Sequence, residues 1–354
     1  MDIVQLIFFY FFVVLFSLIF IVQLILAWPR KFKRSYAGNY KGNILVIIPI
    51  KGLDFQLVEN LESIKNQDYR EFSIICVVDS EDDESVQHIK NSNLNYILSS
   101  HNSSGSGKVR AIATAIEKYG DFDAYVVADS DIRVKRDWLS NLVRPLSIQK
   151  FGVSTTFPYF KSSGGFWSRF KTVWGFVGKG MMESSITVFA WGGSMAFRKD
   201  LLEGRMPDFD SDISDDMAIT RICKEKGLEV AYVPEATPYI YSPDDWDTFK
   251  EWSIRQTSLL VSRNRSALKI GILMYGSVCL LIFGSIIFSL AFSYLFLIWL
   301  LPVVISEIKL RTRLRDRGIT YYVAGFIIPF FYTWNLYKAS RTREIFWRGN
   351  EYKL

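Results

Sequence analysis

Cysteine is scarce in this chain, and the cysteines that occur form no pattern. The 354 residues contain three of them, Cys76, Cys223 and Cys279. An odd number leaves at least one cysteine unpaired, and without metal-ligand spacing the pattern favours neither a disulfide framework nor a cysteine-based zinc site. We therefore expect buried thiols in a reducing compartment.

Charged residues are absent from residues 3–28. This run exceeds the roughly 20 apolar residues that cross a bilayer, and it predicts a transmembrane helix over residues 1–29. A cleaved signal peptide is the alternative, but its apolar run of about 7–15 residues is shorter. The basic residues that follow place the next segment in the cytoplasm by the positive-inside rule. They are Arg30, Lys31, Lys33 and Arg34.

A second uncharged region covers residues 270–305 and is too long for one perpendicular crossing of ~30 Å. We predict a helical hairpin that turns at residues 289–293, with a single long helix as the alternative. A third run, 319–337, crosses the membrane, re-enters it or lies at its surface. We assign residues 270–337 to a C-terminal transmembrane region and leave its crossings open. A basic tail, 338–354, follows.

The overall composition agrees with membrane association. Hydrophobic residues make up 49% of the chain and aromatic residues 16%, which is high for a purely soluble protein. The formal charge of +6 would suit nucleic acid, but the basic residues cluster beside the apolar segments. Anionic head groups attract such clusters, so we expect a membrane partner and no nucleic acid.

The middle of the chain, residues 40–265, alternates short β-branched runs with helical patterns. This alternation predicts an α/β fold around a largely parallel sheet. In such sheets, ligands bind beyond the carboxyl ends of the strands. The predicted strands are 44–48, 72–78, 95–98 and 124–128, and the predicted helices are 56–66, 84–90 and 108–118.

Polar side chains follow several of these strands. Lys51 comes after the first strand, Asp79 after the second, and Asp129 and Asp131 after the fourth. Two carboxylates around Ser130 suit a hard divalent cation, which can neutralise a leaving diphosphate. A solvated turn or a helix cap is the alternative interpretation.

A second acidic pair, Asp215 and Asp216, opens a helical pattern over residues 217–227. Carboxylates at a helix start are often dipole partners. Transfer of a group to a hydroxyl, with a diphosphate leaving, also needs a base for that hydroxyl, and Asp216 is our candidate. Arg255, in a basic stretch before the second apolar region, suits a bidentate grip on a diphosphate or a contact with a head group.

Residues 166–191 mix aromatic and basic side chains. This composition is typical of an interfacial helix in the head-group layer, which would bring an active site to a lipid acceptor. An ordinary core helix is the alternative.

The order and spacing of these motifs resemble a family 2 type membrane glycosyltransferase, most closely the ceramide glucosyltransferase branch. The resemblance covers almost the whole chain, including both apolar ends. One motif departs from the family pattern of Gln or Arg, two variable residues and Arg-Trp: residues 252–256 read Trp-Ser-Ile-Arg-Gln and keep only Arg255. The motifs that match are residues 48–52, 77–79, 128–134, 193–199 and 214–216.

The resemblance implies a GT-A fold, with a Rossmann-like nucleotide-sugar-binding domain between transmembrane helices, and inversion of anomeric configuration. It implies that Asp79 contacts the nucleotide base and that Asp129 and Asp131 bind the diphosphate and Mg²⁺ or Mn²⁺. It also implies Asp216 as the general base and Arg255 as an acceptor-side contact to the diphosphate. Lys108 falls near the donor, and Pro49 and Lys51 complete the expected donor-binding set.

We therefore expect a multi-pass membrane enzyme, with a cytoplasmic catalytic domain, that transfers a hexose from a UDP- or GDP-sugar to a lipid acceptor. A processive polysaccharide synthase is one alternative, although few membrane spans leave little material for a polymer channel. A second alternative is an inactive nucleotide-sugar-binding scaffold in the membrane. The retained acidic set argues against it, because a binding module needs no base.

Overall fold

The computed structural model describes residues 3–28, 36–99, 104–263, 265–347 and 350–353. The basic cluster from Arg30 to Arg34, on which the predicted orientation depends, lies outside these residues. The chain divides into two compact units, which we treat separately. The α/β unit comprises Phe32–Ser163 and Val177–Pro243, and the helical unit comprises Met1–Lys31, Gly164–Phe176 and Asp244–Leu354.

The strands are short and mostly buried. In chain order they are β1 (Ile44–Pro49), β2 (Phe72–Val78), β3 (Tyr96–Leu98), β4 (Ala124–Ala128), β5 (Ile132–Arg133), β6 (Phe151–Thr155), β7 (Tyr159–Ser162), β8 (Ser194–Arg198), β9 (Glu229–Tyr232), β10 (Tyr239–Ser242), β11 (Glu344–Trp347) and β12 (Asn350–Lys353).

The α-helices surround the sheets or form the helical unit. They are α1 (Ile3–Ala27), α2 (Leu57–Lys65), α3 (Ser85–Asn91), α4 (Gly107–Lys118), α5 (Trp138–Val143), α6 (Phe166–Met182), α7 (Met206–Asp210), α8 (Asp215–Glu225), α9 (Trp246–Arg263), α10 (Arg265–Ala291), α11 (Leu301–Arg313) and α12 (Ile319–Ala339).

A mixed sheet of order β3-β2-β1-β4-β8-β6-β9 forms the centre of the α/β unit. The half built from β3, β2, β1 and β4 is parallel, as the sequence predicts. These strands are continuous apolar runs because helices cover both faces of a parallel sheet. The sheet is largely parallel, as predicted, and its reversed strand is β8, which runs antiparallel to both β4 and β6.

The reversed strand β8 has a consequence for the edge of the sheet. Its first residue, Ser194, pairs with Ala128, the last residue of β4. The residues before β8 therefore lie beside the residues that follow β4. A smaller sheet has the strand order β5-β10-β7. Each of its strands comes in the chain after a strand of the large sheet: β5 after β4, β7 after β6 and β10 after β9.

The helical unit contains two described helices, α1 and α10, that are long and apolar enough to cross a membrane. Phe16 of α1 packs with Leu281, Phe288 and Trp299 in a buried cluster. Gln23 of α1 donates hydrogen bonds to the Ser277 hydroxyl at 2.7 Å and the Met274 carbonyl at 3.1 Å.

The second apolar region changes direction where the sequence predicts a turn. Helix α10 ends at Ala291, and the Ser293 hydroxyl caps a 3-10 helix, Tyr294–Leu300. The second half of the predicted hairpin is therefore this 3-10 helix followed by α11. In the tail, β11 and β12 pair antiparallel.

The helix predicted over residues 166–191 is shorter in the structure, because α6 ends at Met182. Within the helical unit, Phe170 and Trp174 of α6 are buried. Phe170 packs against Phe249 with ring centroids 5.4 Å apart, and Trp174 stacks on Tyr332 at 5.3 Å. These side chains face other helices, so this part of α6 fits the core-helix alternative.

Candidate active site

The carboxyl ends of β1 and β2 bring a lysine and an aspartate together. Lys51 follows β1, Asp79 follows β2, and their Nζ and Oδ2 atoms are 3.3 Å apart. Pro49 is the last residue of β1, in register with Val77. A Cβ atom added to Gly107, the first residue of α4, would lie 4.0 Å from Asp79 Oδ2. The pair therefore adjoins the amino end of α4.

Lys108, in the first turn of α4, joins three further elements. Its ammonium lies 2.6 Å from Asp129 Oδ1, after β4, and 3.2 Å from Asp215 Oδ2, at the start of α8. It also donates a hydrogen bond to the carbonyl of Gly192 at 3.2 Å. Burial alone lowers the pKa of Lys108, but the attraction of Asp129 and Asp215 outweighs it and raises the pKa. The ammonium therefore stays charged.

The two aspartates at the start of α8 make different contacts. Burial raises the pKa of Asp215 to about 6, although Lys108 acts in the opposite direction. Asp216 Oδ1 accepts hydrogen bonds from the Ser214 hydroxyl and from the Met217 amide, the latter at 2.7 Å. Burial also raises the pKa of Asp216. Asp215 is thus the ion-pair partner, and Asp216 is fixed through one oxygen.

The loop before β8 is tied to α8 by hydrogen bonds. The Ala190 amide donates to Thr220 Oγ1 at 2.8 Å, and that hydroxyl donates to the Asp216 carbonyl at 2.6 Å. Gly192 has no room for a side chain, because an added Cβ would fall on the Asp215 carboxylate. Glycine at this position therefore allows the loop to approach both Asp215 and Lys108.

The turn from Asp129 to Asp131 is fastened to the start of α2. Ser130 donates a hydrogen bond through its hydroxyl to Asp54 Oδ2 at 2.5 Å. The Asn60 amide donates to the Ser130 carbonyl at 3.1 Å. Both carboxylates of the turn are partly exposed. This anchoring holds two oxygen-bearing side chains at a fixed point of the sheet edge.

A divalent cation fits the chemistry of this edge. Asp129 and Asp215 pair with the Lys108 ammonium, and Asp216 also acts on it electrostatically, so carboxylates outnumber the ammonium here. Carboxylate oxygens are ligands that Mg²⁺ accepts. Within the described ranges, no three acidic, histidine or cysteine side chains form a complete ligand set. A cation held by Asp129 and Asp131 would therefore need further ligands from water or from a bound phosphate-bearing molecule.

The structure brings most of the sequence-predicted residues into two neighbouring groups of the α/β unit. Lys51 and Asp79 form one group, and Lys108 and Asp129 belong to the other with the acidic pair of α8. Arg255 lies on α9, in the helical unit.

Two contributors to this site were missed by the sequence analysis: Asp215 as the partner of Lys108, and the Gly192 carbonyl. The doublet of aspartates carried a usable signal. Adjacent helix residues point about 100° apart, so one carboxylate can cap the helix while the other meets a cation. The role of Gly192 had no sequence signal beyond its glycine neighbour.

The departure from the family pattern at Trp252 has a local explanation in the helical unit. The Trp252 ring lies against Trp174, with centroids 4.8 Å apart, and the Lys171 ammonium lies 4.4 Å from its centroid. Lys171 also pairs with Asp244 at 2.9 Å, and both side chains are buried. Trp252 therefore packs α9 against α6.

Comparison with known proteins places these observations in a family context. The family model of Glycosyl transferase family 21 matches residues 9–354. The chain is similar to a mannosyltransferase from Pyrobaculum calidifontis, solved with GDP-mannose and Mn²⁺. That match has 17% identity and a TM-score of 0.56, and it covers 92% of this chain and 96% of the other. The similarity shows a shared fold.

A second solved structure matches a smaller part of the chain. It is glucosyl-3-phosphoglycerate synthase from Mycobacterium tuberculosis, in complex with Mn²⁺, UDP and phosphoglyceric acid. The match has 15% identity and a TM-score of 0.43, over 63% of this chain and 78% of the other.

Proposed function

Because this chain belongs to Glycosyl transferase family 21 and is therefore a glycosyltransferase, we propose that it transfers a hexose from a UDP- or GDP-sugar to a membrane lipid, with inversion at the anomeric carbon. The sequence motifs resemble those of family 2 type enzymes, but the family model that matches the chain is that of family 21. A ceramide-like acceptor is part of the proposal. The observation that carries it is Lys108, held between Asp129 and Asp215 and next to Asp216.

In the proposed reaction, the acceptor hydroxyl oxygen attacks the anomeric carbon while the bond from that carbon to the diphosphate breaks. The nucleoside diphosphate leaves with the electron pair, and Asp216 takes the hydroxyl proton. Two observations support Asp216 in this role. Its Oδ1 is held by Ser214 and Met217, which leaves Oδ2 for the proton. Burial raises its pKa, which makes the carboxylate a stronger base.

On the donor side, Asp79 contacts the nucleotide base, and Pro49 and Lys51 form part of the same surface. The charged ammonium of Lys108 complements the donor diphosphate. Asp129 and Asp131 would hold Mg²⁺ or Mn²⁺. Such a cation, when bound, neutralises charge on the departing diphosphate. The mannosyltransferase named above was solved with GDP-mannose and Mn²⁺, which agrees with this donor class.

The lipid acceptor is proposed from the helical unit. Helix α1 contains no charged residue, α10 contains none after Lys269, and most of α1 is exposed in the chain alone. Exposed apolar surface of this extent suits lipid. We assign Arg255, on α9, to the acceptor side of the diphosphate. We further propose a multi-pass protein with its α/β unit in the cytoplasm.

A transfer assay with the purified full chain tests this proposal. The chain in detergent is incubated with labelled UDP- and GDP-sugars, a lipid extract, and Mg²⁺, Mn²⁺ or EDTA. We expect one donor to yield an organic-soluble labelled product only with metal. Removal of the base in Asp216→Asn should lower transfer by about 100-fold or more while donor binding persists. Asp131→Asn should weaken metal-dependent donor binding.

The matched control is Asp68→Asn, which removes one exposed carboxylate away from the site. It should behave as the wild type. Full activity of Asp216→Asn would contradict the assignment of Asp216 as the base. A labelled product that stays in the aqueous phase would contradict a lipid acceptor. If no donor is bound with any metal, the whole assignment to this sheet edge fails.

A further inference from the structure

A cavity of about 250 Å³ lies in the helical unit, where α11 ends and α12 begins. None of its lining residues belongs to the site proposed for sugar transfer. Pockets for drug-sized ligands measure roughly 300–1,000 Å³, so this cavity suits a head group and not a whole lipid. Its lining includes Arg311, Leu314, Asp316, Arg317, Ile319 and Tyr322.

The charged part of the lining favours an anion. Arg311 and Arg317 are exposed, and neither forms an ion pair with another residue in the part of the chain that the structure describes. Asp316 is the one acidic residue of the lining, so the cavity carries a net positive charge. Guanidinium groups bind phosphate through paired hydrogen bonds.

The apolar part of the lining continues along both helices. Ile319, Val323 and Phe326 of α12 are 77%, 44% and 45% exposed, and their spacing of four and three residues places them on one face. On α11, Val304 and Ile308 are 50% and 61% exposed and precede Arg311 by seven and three residues. Two apolar stripes therefore lead away from one positively charged cavity.

We propose that this cavity binds the head-group phosphate of an anionic phospholipid, whose acyl chains lie along the exposed faces of α11 and α12. Both halves of the arrangement are needed for this assignment. The arginines select a phosphate, and the stripes select a molecule that carries hydrocarbon chains. The inference rests on the membrane placement proposed above, and it is independent of sugar transfer because its readout is lipid binding.

Native mass spectrometry of the detergent-purified full chain tests the proposal. The chain is titrated with dioleoyl phosphatidylglycerol and, separately, with dioleoyl phosphatidylcholine. The test variant combines Arg311→Gln with Arg317→Gln. The control variant combines Arg341→Gln with Arg343→Gln, which removes the same charge from exposed positions outside the cavity. Elution volume and thermal unfolding in lipid-free detergent establish that each variant is folded.

We expect the wild type and the control variant to bind phosphatidylglycerol more tightly than phosphatidylcholine. Loss of the guanidinium contacts should weaken phosphatidylglycerol binding by about tenfold in the test variant. Inorganic phosphate and glycerol 3-phosphate should not displace the lipid at equal concentration. The proposal is overturned if the test variant binds as the wild type does, or if phosphatidylcholine binds equally well. Displacement by either soluble phosphate would make the ligand a soluble anion instead.

Discussion

Lys108 is the single residue on which most of the candidate site depends. Replacing it in Lys108→Met keeps much of the apolar stem but removes the charge that faces Asp129 and Asp215. Breaking a buried ion pair leaves a carboxylate without its counter-charge, which should lower the free energy of unfolding by about 3 kcal/mol. Thermal unfolding of the full chain, with donor binding measured in parallel, checks this expectation.

The double variant Lys108→Met with Asp215→Asn distinguishes two causes of lost stability: the missing counter-charge of Asp215 and the altered packing at residue 108. Asp215 is the more buried of the two partners, so its neutralisation should recover a large part of the lost thermal stability. Donor binding should remain weak in the double variant, because the ammonium that complements the diphosphate is still missing. Equal stability of both variants would contradict the ion-pair explanation.

At the scale of elements, the loop before β8 and the start of α8 must approach each other closely at Gly192. In Gly192→Ala, the added Cβ meets the Asp215 carboxylate, so the loop or the carboxylate has to move. We expect a loss of about 1–3 kcal/mol in stability and weaker donor binding. Thermal unfolding and a donor titration measure the two effects.

Gly180→Ala is the matched control for this substitution. An added Cβ at Gly180, in α6, meets no atom within 4 Å. Alanine in a helix should stabilise by about 0.5–1 kcal/mol relative to glycine and leave donor binding unchanged. If the two alanine variants behave alike, the close approach at Gly192 has no energetic role.

Several elements were predictable because one local pattern decides them. The continuous apolar runs of β2 and β4 predict strands at 72–78 and 124–128, and the structure has these same bounds. Polar residues that follow parallel strands lie along one edge of the sheet, and Lys51 after β1 thereby meets Asp79 after β2. The direction of β8 was not predictable, since it depends on which strand it joins and its sequence fits either direction.

The end of α6 and the pairing of Asp215 also depend on tertiary contacts. The aromatic residues between 166 and 191 suit a membrane surface or a core, and the sequence pattern alone does not show that Phe170 and Trp174 pack on neighbouring helices. Similarly, both aspartates of the doublet suit a helix start. The position of Lys108 on a different helix determines which of them forms the ion pair.

For the whole molecule, the α/β unit holds the carboxylate site and the helical unit holds the apolar helices α1 and α10. The family match spans both units, from residue 9 to residue 354. In the proposed reaction, the α/β unit binds the water-soluble donor and the helical unit lies in the environment of the lipid acceptor. Membrane orientation therefore decides whether the site meets a cytoplasmic donor.

A single reactive cysteine can report that orientation. Burial raises the pKa of Cys76 to about 12 and that of Cys223 to about 11, so neither thiol should react at neutral pH. A chain that carries Cys279→Ser and Asp68→Cys then has one exposed thiol, on the α/β unit. In sealed right-side-out vesicles, a membrane-impermeant maleimide should label it only after permeabilisation. Labelling of intact vesicles would place the α/β unit outside, where cytoplasmic nucleotide-sugars do not reach it. Release of the chain from the vesicles by alkaline carbonate would contradict the proposed membrane helices themselves.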